Sequence, residues 1–146
     1  NSTPSKAYDV AKKWVTADAG VTSQITFRQA LDGAWAALQE KGYYYVYTNP
    51  AGERASSDPL TNTACFNWHQ NTNTPGCIVG NILYRSGVPE TKLIFNYRES
   101  AHSFMDDVTG EALDFLVQLQ SRQDKGATWG DAFVSSLKYL QDLYYS

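Results

Sequence analysis

Three glycines, Gly42, Gly87 and Gly126, each follow an apolar-striped run that opens on a Thr or Asn. Glycine takes the left-handed conformation of a helix stop without a Cβ penalty, and a Thr or Asn side chain accepts the free N–H groups at a helix start. This punctuation commits most of the chain to helices and leaves little room for sheet. The clearest case is TFRQALDGAWAALQEKG, where Thr26 and Gln29 have the spacing of a capping box and Phe27, Ala30, Leu31, Ala34 and Leu38 form one face before Gly42. A helix is likewise expected from Pro75 to Ser86, capped by Thr74 or Asn73, with Pro75 at the first position, where its missing N–H costs nothing.

The same signals mark three further helical stretches. Ser5 or Thr3 opens a helix near Pro4, with Ala7, Val10, Ala11, Trp14 and Val15 on one face and an end expected around Asp18. Thr109 opens a helix carrying Ala112, Phe115, Leu116 and Leu119. Thr128 opens the last, with Trp129, Ala132, Phe133, Ser136, Leu137 and Leu140 as its stripe and Asp131 near its positive end. So short a connection makes the last two an antiparallel hairpin. The stretch 90–107 reads as two short helical turns, around Leu93–Asn96 and Ala101–Asp106. Tyr43 to Tyr47 is aromatic and β-branched on both alternate faces, and ACFNW is its expected returning strand across a turn-rich connection. The expected class is α+β, mostly α: about five helices in a single domain, 1–146, with a small antiparallel hairpin between the second and third.

Composition narrows the function. At 146 residues the chain can bury roughly two thirds of its unfolded surface in one core. A net charge of −3 without a Lys/Arg-rich stretch gives no footprint for a phosphate backbone, so nucleic acid is not an expected partner. No apolar run is long enough for a membrane span. The amino end, NSTPSKAYDVAKKW, has no signal-peptide core, so the expectation is a cytoplasmic protein off the membrane, with a removed leader left open by the start at Asn1. Aromatics reach 14% of the chain, with ten Tyr and four Trp, more than so small a core needs. Tyr and Trp combine large contact area with a polar tip, so part of this excess suits a protein interface with a host protein or a second copy.

Cys77 allows three readings. At the third position of its helix the N–H groups and dipole would lower its pKa, as a cysteine hydrolase using His69 or His102 as base requires. Cys65, His69, Cys77 and His102 also make four potential ligands for a structural zinc, though the C-x3-H-x7-C-x24-H spacing has no paired C-x2-C. The third reading is a small apolar residue packed in the core. A Cys65–Cys77 bridge stays open, with a reduced pair as the expectation. The carboxylates Asp106, Asp107, Glu111 and Asp114 are explained by helix starts and solvation, and no phosphate loop or cofactor motif occurs.

CIVGNILYRSGV resembles the cysteine helix of NlpC/P60 cysteine peptidases over about a dozen residues, which would make Cys77 the nucleophile. Those enzymes carry their catalytic His on a strand after the cysteine, where this chain reads as helix or loop. More broadly, CFNWHQNTNTPGCIVGNILYRSGVP and ALDFLVQLQSRQDKGATWGDAF resemble an uncharacterised small-domain family of actinobacteria and their bacteriophages. Cys65, Cys77, Gly80, Gly87, Gln123, Asp124, Gly126 and Trp129 match its pattern, and Asn81 departs from it where a His is expected. The resemblance implies a cytoplasmic protein of phage or host origin and no particular activity.

Overall fold

The computed structural model describes residues 3–14, 24–47, 66–70, 72–97 and 99–145. Among them are six α-helices: α1 (Pro4–Lys12), α2 (Phe27–Lys41), α3 (Ile78–Arg85), α4 (Glu90–Phe95), α5 (Gly110–Asp124) and α6 (Trp129–Tyr144). A 3-10 turn, Ala101–Phe104, stands between α4 and α5, and a two-stranded antiparallel sheet, β1 (Trp68–His69) and β2 (Thr74–Pro75), between α2 and α3. The class is α+β, mostly α.

The start and stop signals act as their chemistry dictates. Thr26 accepts from the Gln29 N–H while the Gln29 side chain accepts from the Thr26 N–H, closing the capping box. Thr3, Thr109 and Thr128 cap α1, α5 and α6 without that reciprocal bond, each side chain accepting one N–H, from Lys6, Ala112 and Asp131. Gly42, Gly87 and Gly126 have φ of 94°, 103° and 94°, a region that side chains with a Cβ rarely enter. The starts of α2 and α5 are pinned together, because the Ile25 N–H donates to the Asp107 carbonyl and the Thr109 N–H to the Ile25 carbonyl, at 2.8 and 2.9 Å.

The core lies where α2, α3, α5 and α6 meet. Phe115 packs edge-on against Phe27 and Phe133, and α5 and α6 form the expected hairpin. At Gly33 a Cβ would lie 3.4 Å from the Ile82 backbone, so α2 and α3 pack closely along a small-residue face that includes Ala30, Ala34 and Ala37. α1 joins through Tyr8, whose ring stacks on Trp35 with centroids 4.7 Å apart and whose hydroxyl donates to Asp32. Among the described residues no helix is long and apolar enough to cross a membrane.

Three expected elements need correction. Residues 43–47 are not a strand: the Tyr43 and Tyr45 carbonyls accept from the Gly130 and Trp129 N–H groups, both at 2.8 Å, so this backbone caps α6 instead of pairing in a sheet. Tyr44 and Val46, on the other alternate face, are exposed, so the segment is not covered on both sides as its composition suggested, and periodicity alone could not show this. The sheet partner of the Trp68 region is the segment just after it, with Trp68 opposite Pro75 and His69 opposite Thr74. Third, α3 begins at Ile78 and not at Pro75, because pairing continues past the sheet: the Gly76 N–H donates to the Asn67 carbonyl and the Cys77 N–H to the Phe66 carbonyl. Helix α1 runs to Lys12, and the expected end near Asp18 lies outside the described residues. The two turns expected in 90–107 are α4 and the 3-10 turn.

Candidate functional site

Cys77 is the N-cap of α3, with φ −68° and ψ 176°, not its third residue. Its backbone is held at 2.8 Å by the Phe66 carbonyl, and its side chain is 0% exposed. The sulfur is disulfide-bonded. The sequence holds one other cysteine, Cys65, which lies outside the described residues. A bridged sulfur has no lone thiolate, so in this state Cys77 is neither nucleophile nor metal ligand, and the expectation of a reduced thiol is corrected. Asn67 Oδ1 lies 3.7 Å from the sulfur, a packing contact because a disulfide has no proton to donate.

The two histidines take up separate tasks. His69 is buried, its ring stacked on Tyr47 with centroids 5.6 Å apart and its Nε2 3.1 Å from the Tyr47 hydroxyl. Gly76 makes room for it: a Cβ there would lie 2.0 Å from the Phe66 carbonyl oxygen and 3.1 Å from His69 Nε2. His102 is exposed on the 3-10 turn. Among the described residues no three His, Cys, Asp or Glu side chains gather as a metal site, and Cys65, the fourth proposed zinc ligand, lies outside them.

What converges near Cys77 is a set of buried amides. Asn67 Nδ2 donates to the Asn96 and Glu99 carbonyls, both at 2.9 Å, and its N–H donates to Tyr97, tying the chain after α4 to β1. Asn81 Nδ2 donates to the carbonyls of Gly76 and Cys77 at 2.8 and 3.1 Å. Gln123, buried on α5, offers one oxygen to two donors, the Ile78 N–H at 2.9 Å and Trp129 Nε1 at 3.1 Å. It therefore supplies the cap for α3 that the side chain of Cys77 does not, and joins α3, α5 and α6 at one atom. Sequence reasoning noted Gln123 and Trp129 in a pattern but missed this role. The available signal was Gln123 standing four residues after Leu119 on an otherwise apolar stripe.

Asp124 completes the arrangement by accepting from Gln123 Nε2 at 3.1 Å, which fixes which way the Gln123 amide faces. Burial pushes its carboxyl from 3.8 to about 6, with the Gln123 hydrogen bond pulling partly back. Since the folded pKa lies above the unfolded one, the folded state binds the extra proton between the two. The associated stability is complete below pH about 4 and is lost as pH rises through about 6. Asp124→Asn keeps an acceptor for Gln123, so relative to wild type it is expected to gain stability between pH about 4 and about 7, read from urea midpoints across that range. An unchanged difference between the two proteins over this range would contradict the assignment.

Comparison with protein-family models, curated proteins and solved structures returns no match. The geometry nevertheless gives a physical role to the residues of the sequence pattern. Cys77 is bridged, Gly80 sits against the Asn67 backbone, Gly87 and Gly126 hold positive φ, and Gln123, Asp124 and Trp129 form one hydrogen-bonded cap. These residues build a scaffold.

Proposed function

We propose that this chain is a disulfide-bonded binding domain whose partner is a protein, either a host protein or a second copy. The observation that carries the reading is a pair of large, exposed apolar side chains on two elements that an ion pair joins. Phe95, the last residue of α4, is 86% exposed, and Met105, just past the 3-10 turn, is 57% exposed. The Lys92 ammonium meets the Asp107 carboxylate at 2.6 Å, tying the two elements together, with Phe95 one helical turn beyond Lys92 and Met105 two residues before Asp107. Single exposed apolar residues are ordinary on a protein surface, whereas neighbouring ones with a charged rim suit an interface.

The bridged state of Cys77 supports a binding role over a cysteine hydrolase. It also moves the reading of location from the cytoplasm to an oxidising compartment, where disulfides persist. The resemblance to a family of actinobacteria and their phages supports a phage or host origin and is consistent with a scaffold whose pattern residues are structural.

Site-specific photo-cross-linking tests the interface. A benzophenone side chain at position 95 is expected to form protein adducts in cell extract or with a second copy, and one at exposed position 131 is not. Met105→Ser is expected to cut the yield at 95 by about tenfold, as loss of a central apolar anchor does. Equal yields at 95 and 131 would contradict the reading.

A further inference from the structure

A pocket of about 370 Å³ opens between the end of α2, β2 and α3, bordered by Glu40, Lys41, Thr74, Asn81, Tyr84 and Arg85. One of its lining side chains keeps a free hydrogen-bond acceptor. Asn81 is 4% exposed, and both hydrogens of its amide are committed, one to the Gly76 carbonyl and one to the Cys77 carbonyl. Two carbonyl acceptors on that side fix the amide orientation, because only an NH2 group can face them. Its Oδ1 accepts no hydrogen bond among the described residues and is not sealed from solvent, so the pocket presents an acceptor open to a donor.

The walls restrict what can supply it. Glu40 and Arg85 are ion-paired with each other, so their charges cancel, and the remaining charge of the lining, the Lys41 ammonium, lies 5.6 Å from the Tyr45 ring centroid. An anionic ligand would put its oxygens against Asn81 Oδ1 and the Glu40 carboxylate; a cationic ligand would meet Lys41 and Arg85. A neutral ligand that both donates and accepts conflicts with neither. Tyr84, 46% exposed and braced by Trp68 with centroids 5.8 Å apart, adds an aromatic face beside these planar polar groups. An apolar ring face with polar groups around it matches the two kinds of surface on a sugar ring, its C–H face and its hydroxyl edge.

We infer that this pocket binds a neutral saccharide ring, a hydroxyl donating to Asn81 Oδ1 and its C–H face lying on Tyr84. The site is separate from the Phe95 face and does not depend on a protein partner there. The test is titration of the isotope-labelled full chain with glucose, galactose, mannose, N-acetylglucosamine and arabinose, followed by amide NMR shifts. The Asn81 side-chain NH2 and the backbone amides of Tyr84 and Arg85 are expected to shift saturably with at least one of these sugars. Tyr84→Ala, with an otherwise unchanged spectrum showing that it folds, is expected to weaken that binding by about tenfold, and Thr74→Ala provides a second variant at the rim. No shift at these positions with any of the five sugars overturns the inference. So does a response to inorganic phosphate or to an alkylammonium ion in place of the sugars, which would assign the pocket to a charged ligand.

Discussion

Gly80→Ala is expected to destabilise the protein by more than about 3 kcal/mol, even though alanine is the better helix former by about 1 kcal/mol. A Cβ at this position would lie 2.1 Å from the Asn67 carbonyl oxygen and under 3 Å from the Asn67 carbonyl carbon and Cα. That obstacle is backbone, and it is held on every side: the Asn67 N–H donates to Tyr97, its carbonyl accepts from Gly76, and its side chain donates to Asn96 and Glu99. Relief requires β1 to move off α3 and to break some of those bonds. Gly110→Ala is the matched control, since a Cβ there meets nothing within 4 Å and its φ is not in the left-handed region. It should be neutral or slightly stabilising, so urea unfolding of the pair separates packing from helix propensity. A Gly80→Ala protein as stable as wild type would mean that α3 and β1 are not in this close contact.

The second large effect is expected at Gln123. Gln123→Met keeps the volume and the helix propensity and deletes the oxygen that serves both Ile78 and Trp129. Each buried donor left without a partner costs about 1–3 kcal/mol, so the sum is on the order of 3 kcal/mol, or roughly 10 °C in Tm for a domain of this size. The indole should report the change directly: Trp129 Nε1 is 0% exposed as part of Trp129 in the native core, and its one-dimensional NMR signal should move sharply in the variant. A wild-type Tm together with an unmoved indole signal would show that Gln123 does not cap α3.

Much of this fold is legible in the sequence wherever one local rule acts alone. The capping box at Thr26 and Gln29, the Thr caps at 109 and 128 and the glycine stops are short-range chemistry, and each stands where its residues place it. Legibility fails where a backbone group has two available partners. Tyr43 to Tyr47 has the composition of a strand, yet its carbonyls go to the start of α6, more than eighty positions away in the chain, and nothing within the segment marks that choice. Pro75 has the chemistry of a first helical residue, yet pairing with Phe66 and Asn67 holds the chain extended through Cys77. The same contest changed the candidate site. A cysteine placed at a helix start invites a thiolate reading, and the bridge on its sulfur, not its move to the N-cap, removes it. Asn67, Asn81 and Gln123 were hidden for a related reason: polar residues are ordinarily surface residues, and only tertiary contact shows that these are buried and spoken for.

The central claim is that Cys77 is a buried, bridged structural residue and that the domain works by binding. Peptide mass spectrometry after treatment with iodoacetamide in denaturant, without reductant, tests it most directly. The prediction is that the peptide holding Cys77 carries no carbamidomethyl group until a reductant is added. Full modification of Cys77 before reduction would show a free thiol and restore the nucleophile or metal-ligand readings.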